Sequence, residues 1–210
     1  KDWMAQLVQK SEKGGTDRPV WAIDRGVNIC QALSLPPAHL IGDRDSAAHD
    51  AWAWAEEHGA RVHAFPPAKD FTDTELALRI AAELMPSAFV ILTGAFGGRF
   101  DHLMSAASVA AHAALPCILA DEREALFFLH GDESLTITCD SPPQAISLLP
   151  FTEECTGITT NGLRWELSHA QIHSHSSTTI SNVLADGYTE HRFSVALGSG
   201  ILGVYLCHKE

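Results

Sequence analysis

The sequence predicts an α/β half built on a parallel sheet, followed by an all-β half, with the change near residue 125. Three observations predict it. Before that point short apolar runs alternate with amphipathic stretches, the order that right-handed βαβ crossovers with helices on both sheet faces require. After it helix signals vanish, and segments of period two recur between Gly, Pro and Asn turns, the spacing of a small antiparallel β-sandwich. The 210 residues, 46% hydrophobic and 19% charged, have ordinary globular composition and room for one large core or two small ones.

In the first half, residues 1–125, Lys1 to Lys13 carries a helical pattern. Val20 to Ile23, Leu40 to Ile41, Val62 to Phe65, Phe89 to Leu92 and Cys117 to Ala120 are too short for helices and are bounded by Gly, Pro or Asp, so strands are expected there. Ser46 is placed to cap a helix through Ala48, Trp52 and Ala55 that ends at Gly59. Thr72 and Glu75 form a capping-box pattern ahead of Leu76, Leu78, Ile80 and Leu84, and a third helix is expected from Asp101 to Ala113. Strict alternation makes this half Rossmann-like. In residues 126–210 strands are expected at Leu135 to Thr138, Ile146 to Leu149, Leu163 to Leu167, Thr178 to Val183, Arg192 to Leu197 and Ile201 to Leu206. Gly131-Asp132, Pro142-Pro143, Asn161-Gly162, Asp186-Gly187 and Gly198 to Gly200 supply the turns.

Charge narrows the partners. Twenty-six acidic against 14 basic side chains give a formal charge of −12, divided evenly between the halves, which disfavours nucleic acid phosphates and anionic lipid. No apolar run approaches the roughly 18 to 20 residues that span a bilayer. Five scattered cysteines without a C-x-x-C pair argue against a disulfide framework or a zinc knuckle and predict a reducing cytoplasm. No basic-then-apolar leader precedes the first elements, so no targeting segment is expected.

Chemistry-bearing residues follow strands, where ligands of open α/β sheets bind. Asp43 and Asp45 in I-G-D-R-D-S point the same way from an extended chain, and two hard oxygen donors suit Mg²⁺. A helix start with Asp45 or Ser46 as cap is the alternative. Lys69-Asp70-Phe71-Thr72-Asp73 also opens a helix; capping uses Thr72, leaving Lys69 as a point charge for phosphate and Asp73 as a further carboxylate. Gly94-Ala95-Phe96-Gly97-Gly98-Arg99-Phe100-Asp101-His102 combines a glycine loop with Arg, Asp and His, an anion nest beside a bidentate donor; a loose strand-to-helix turn with Asp101 as cap is the alternative. It matches neither the Walker pattern nor G-x-G-x-x-G. Asp24 ends the first visible strand, as a rim acid or as a turn initiator before Gly26. Asp24, Asp43, Asp45, Asp73 and Asp101 on one rim would repel each other unless a cation sat among them. His173 and His175 read as a solvated strand face in the absence of a third ligand. Trp165 falls in an expected strand, where a core role is expected, ring stacking on a ligand being the alternative.

Taken in order, A-I-D-R-G-V-N, I-G-D-R-D-S, K-D-F-T-D-T-E-L-A-L, G-A-F-G-G-R-F-D-H, N-G-L-R-W-E-L and T-I-S-N resemble the thiamine pyrophosphokinase family. The resemblance implies transfer of a diphosphoryl group from ATP to thiamine, giving thiamine diphosphate and AMP. It implies that Asp43, Asp45 and Asp73 hold Mg²⁺. Lys69, Arg99 and Asp101 would lie around the nucleotide phosphates and the reacting hydroxyl, with Asp73, Arg99 and Asp101 as the catalytic set. Asp24, Asp70, Thr72, Gly97, Gly98 and His102 would line the nucleotide side. Ser181 and Asn182 match the Ser-Asn of the thiamine pocket, which lies between two subunits and so implies a homodimer. Residues 1–125 would be the catalytic domain and 126–210 the thiamine-binding domain. Family members often carry Asn where Ala106 stands and Asp-Gly-Gly where Asp24-Arg25-Gly26 stands. The alternatives are another Mg-dependent phosphohydrolase or nucleotidyl enzyme on the same rim, or a non-enzymatic thiamine-binding protein.

Overall fold

A computed structural model describes residues 3, 18–43, 47–65, 70–187 and 190–208. The expected helix from Lys1 to Lys13 lies outside the described residues except for Trp3. The fold is mixed α/β, and the chain divides into two compact units, 1–88 and 89–210.

The first unit carries a parallel sheet of β1 (Trp21–Ile23), β2 (His39–Gly42) and β3 (Arg61–Ala64), with β2 central. Trp21 pairs with His39 and His39 with Arg61, so the three carboxyl ends are in step. Strand alternation sends Ala22, Leu40 and Val62 to one face, where they pack with Val27 and Cys30 of α1 (Gly26–Ala32) and with Ala51, Trp52 and Ala55 of α2 (His49–Glu57). Each fully buried side chain of the Leu or Val kind contributes about 1.5–3 kcal/mol. Trp21, His39 and His63 fall on the other face. There the Trp21 and His39 rings stack at 4.0 Å and His39 Nδ1 meets His63 Nε2 at 2.8 Å. Burial, then the neighbouring cations, hold both imidazoles below their ordinary pKa.

α1 is a helix that the sequence pattern does not announce: seven residues without a side-chain cap, carried by burial of Val27 and Cys30. α2 starts at His49, with Ala48 at the cap position and its N–H donating to Asn28 Oδ1 at 3.0 Å. Ser46, the expected cap, lies outside the described residues. α3 (Asp73–Leu84) opens as the sequence predicts, Thr72 Oγ1 accepting from the Glu75 N–H at 3.2 Å. The Glu75 carboxylate turns instead to Arg79, at 2.7 Å, and that guanidinium lies over the Phe71 ring.

In the second unit β4 (Val90–Leu92) and β5 (Cys117–Ala120) are parallel, joined by α4 (Phe100–Ala111). Their sheet continues as β4-β5-β6-β12-β8, through β6 (Glu124–His130), β12 (Ile201–Cys207) and β8 (Ala145–Pro150), antiparallel from β5 onward. A four-stranded antiparallel sheet has the order β10-β9-β11-β7, from β10 (Ala170–His173), β9 (Glu154–Asn161), β11 (Arg192–Ala196) and β7 (Ser134–Thr138). One hydrophobic cluster draws on both sheets, including Ile146, Ile158, Val195, Leu202 and Val204, all fully buried.

Two expected strands are absent. Leu163 to Leu167 and Thr178 to Val183 form no ladder: their only β-pairings among the described residues are the isolated bridges Leu163 to Leu184 and Asn182 to Ile146 of β8, and the two segments meet instead through irregular bonds such as Arg164 N–H to Val183 O at 2.9 Å. Ser181 sits at φ +62°, which breaks the pleat that its period-two pattern suggests.

Candidate functional site

The first unit gathers acids at the carboxyl ends of its strands. Asp24 follows β1 in the left-handed region, φ +46°, its N–H donating to Ile41 O at 2.9 Å across the strand gap. This position is open because β2 ends in Gly42. A Cβ there would stand 2.3 Å from Asp24 Oδ1, and Gly42 itself has φ +147°. The glycine lets the Asp24 carboxylate lie over the end of β2, one residue before Asp43. Asp73 begins α3, which packs on β1 and β2. Asp24, Asp43 and Asp73 are partly buried, whereas Asp70 and Thr72 are exposed. Asp45 and Lys69 lie outside the described residues. Among the described residues no group of three or more His, Cys, Asp or Glu side chains is drawn into a metal cluster. The donor chemistry of the rim nevertheless fits Mg²⁺, which takes one or two carboxylates and completes its shell with water and phosphate.

The second unit holds the glycine loop, between β4 and α4. Gly94 has φ +74° and Gly98 φ +63°, conformations that L residues rarely adopt, and nothing stands within 4 Å of where a Cβ would be at Gly94, Gly97 or Gly98. The backbone is therefore open to close approach by a ligand. Arg99 occupies the N-cap position of α4 without capping it through its side chain. Its guanidinium grips Asp101, with Nε to Oδ1 at 3.1 Å and Nη2 to Oδ2 at 2.5 Å. The hydrogen bonds from Arg99 hold the Asp101 carboxyl below the usual range, and the same pairing raises the Arg99 pKa. Asp101 is thus an ionised acceptor near neutrality and a weak proton abstractor. His102 is exposed on the first turn of α4. Ala106 is buried on that helix, 8% exposed.

Ser181 and Asn182 lie in a segment that runs along β8, bonding at Leu148, Ser147 and Ile146 in turn. The Ser181 N–H donates to Ser147 Oγ at 3.0 Å, and Asn182 exchanges backbone hydrogen bonds with Ile146 at 2.7 and 2.8 Å. The Asn182 side chain staples a second segment: Nδ2 donates to Trp165 O at 2.8 Å, and Oδ1 accepts from the N–H groups of Trp165 and Val183. Trp165 is not a core residue. It is 59% exposed, because the segment carrying it is not a strand, and the Arg164 guanidinium lies 5.5 Å from its ring. The signal that could have found it was the pairing of N-G-L-R-W with S-N, two polar turns flanking an aromatic.

Other candidates carry no chemistry. Burial pushes the Cys30 and Cys117 thiols up to about 11, which keeps them protonated and inert. The His173 and His175 rings stack at 5.3 Å, with Glu154 Oε2 3.9 Å from His173, on an exposed surface.

Residues 16–118 match the family described as thiamin pyrophosphokinase, catalytic domain, and residues 134–201 match the thiamin pyrophosphokinase vitamin B1 binding domain. A thiamine pyrophosphokinase of Bacillus subtilis is 28% identical over 190 residues, 88% of this chain and 87% of that protein. A crystal structure of thiamine pyrophosphokinase from Bacillus subtilis superposes with a TM-score of 0.78 at 25% identity, covering 94% of this chain and 92% of that one. A thiamin pyrophosphokinase from Geobacillus thermodenitrificans gives a TM-score of 0.77 at 26% identity, over 95% and 91% of the two chains.

Proposed function

The chain belongs to the thiamin pyrophosphokinase family, and on that premise we propose that it transfers the diphosphoryl group of ATP to thiamine, releasing AMP. The hydroxyethyl oxygen of thiamine attacks the β-phosphorus, the bond from that phosphorus to the oxygen of the α-phosphate breaks, and AMP leaves. The observation that carries the reading is the order of the two matched segments, the first holding an acid rim and an open glycine loop, the second an Asn182-stapled, exposed Trp165.

Such transfer is mainly positioning and charge neutralisation. Asp43, Asp45 and Asp73 would hold Mg²⁺, which would supply charge neutralisation on the polyphosphate. Lys69, with Asp70 and Thr72 at the opening of α3, and Asp24 beside Gly42 define the nucleotide side of the first unit. In the second unit the amides around Gly97 and Gly98, with Arg99 and His102, meet phosphate charge. Asp101, kept ionised by Arg99, accepts the hydrogen bond of the attacking hydroxyl and orients it. Ser181, Asn182 and the Trp165 face receive the thiamine rings.

The same reading makes residues 1–125 a Rossmann-like catalytic domain and 126–210 a β-sandwich thiamine-binding domain, in a cytoplasmic homodimer whose thiamine pocket is shared by two subunits. Among the described residues no helix is long and apolar enough to cross a membrane. The test is product analysis: AMP should form from ATP only when thiamine is present. Asp43→Asn and Asp73→Asn should lower turnover by about a hundredfold or more with circular dichroism unchanged. AMP formation that ignores thiamine, or ADP and free phosphate in its place, rejects the reading.

A further inference from the structure

The glycine loop has few internal ties. Gly97 N donates to Ala95 O at 3.1 Å, and between Gly94 and Phe100 only Ala95 and Phe96 are partly buried. A loop that presents amides to phosphate must nevertheless keep its shape, since a site held loosely loses the preorganisation on which its electrostatics depend. The Phe96 ring meets the Tyr205 ring, centroids 6.3 Å apart and tilted by 56°, within the range of favourable aromatic pairs. Tyr205 lies on β12 and donates its hydroxyl to Glu124 Oε1 on β6. Glu124 is itself fixed by the β5–β6 turn, where Asp121 Oδ1 accepts from the N–H groups of Arg123 and Glu124, both at 2.9 Å, and the Asp121 N–H donates to Glu124 O at 2.9 Å. A rigid hairpin therefore holds a carboxylate, the carboxylate holds a phenol, and the phenol ring backs the one large side chain of the loop.

We propose that Tyr205 is a positioning residue for nucleotide binding: fixed by Glu124, it buttresses Phe96 and so holds the Gly94–Gly98 backbone in its phosphate-receiving shape. The inference rests on the reading of this loop as the phosphate loop. It assigns a role in the reaction to β12, a strand that the family motifs leave out.

Steady-state kinetics of the full chain, with ATP and thiamine varied in turn, test it. Tyr205→Phe keeps the ring and loses the hydroxyl; KM for ATP should rise about three- to tenfold, with kcat changed by less than about twofold and KM for thiamine unmoved. Phe96→Ala should raise KM for ATP likewise, and adding Tyr205→Phe to it should change little more, since both act through one contact. Glu124→Gln, which keeps an accepting oxygen, should stay closer to wild type than Glu124→Ala. Amide exchange of residues 95–99 should quicken in Tyr205→Phe. An active Tyr205→Phe enzyme with unchanged KM for ATP overturns the proposal, as does one in which kcat falls and both KM values rise together. If the wild type forms no AMP with thiamine, the functional reading fails by itself, and the role of Tyr205 is then read from MgATP affinity and loop exchange. Weaker affinity with faster exchange upholds it, and no change in either overturns it. A wild-type chain that binds no MgATP overturns both.

Discussion

Gly42 and Asp24 form one device. The missing Cβ on one strand makes room for a carboxylate on the next, so Gly42→Ala forces either the strand end or the acid to move. We expect a loss of about 1–3 kcal/mol in denaturant unfolding, from contact and the positive φ together. In the Asp24→Ala background the loss should shrink, because the clashing atom is gone; equal losses in both backgrounds would show that the backbone conformation alone matters. Arg99 and Asp101 are a second device. Because Arg99 lowers the Asp101 pKa, their attraction is present above the ordinary carboxylate pKa and is lost as pH falls through the depressed one. Arg99→Gln should raise the Asp101 midpoint toward the ordinary value in a carboxyl NMR titration. A midpoint that does not move would mean that the pair does not persist in solution.

At the scale of elements, two irregular segments do what strands were expected to do. Asn182 ties the backbone at Trp165 to that at Val183 with side-chain bonds that no regular ladder supplies. Asn182→Ala should cost about 1–3 kcal/mol and speed amide exchange at Trp165 and Val183, while exchange in β12 stays slow. Equal acceleration throughout the second unit would indicate global destabilisation. Alternation alone does not make these segments strands, because Gly162 at φ +82° and Ser181 at φ +62° interrupt the pleat. The unannounced strands fail the same criterion in the opposite sense. β6, Glu124–His130, is a nearly continuous apolar run with no alternation to detect, and β9, Glu154–Asn161, mixes threonines with a Gly157 at φ +68°. Periodicity worked where one face was solvated, as in β7 with its exposed-intermediate alternation, and where a cap was explicit, as at Thr72.

For the whole molecule, the motif order was legible in the sequence and leads to the family that the matched segments establish. Topology was not. Every strand up to residue 120 was expected in one sheet, yet β4 and β5 hydrogen-bond onward to β6, a pairing set by long-range contacts that no local pattern encodes. The proposed shared pocket has its own test at this scale. Mixing inactive Asp73→Asn and Asn182→Ala chains should recover about a quarter of wild-type activity through mixed dimers, if each site draws on both subunits. No recovery, or a monomer by light scattering, would remove the shared pocket from the reading. In the five-stranded sheet β6 and β8 never pair with each other, because β12 lies between them. During synthesis, two strands whose sequences are complete by residue 150 must wait with bare edges until Ile201–Cys207 leaves the ribosome. A chain stalled before residue 201 is then expected to be a substrate for chaperones and proteases rather than a partly working enzyme.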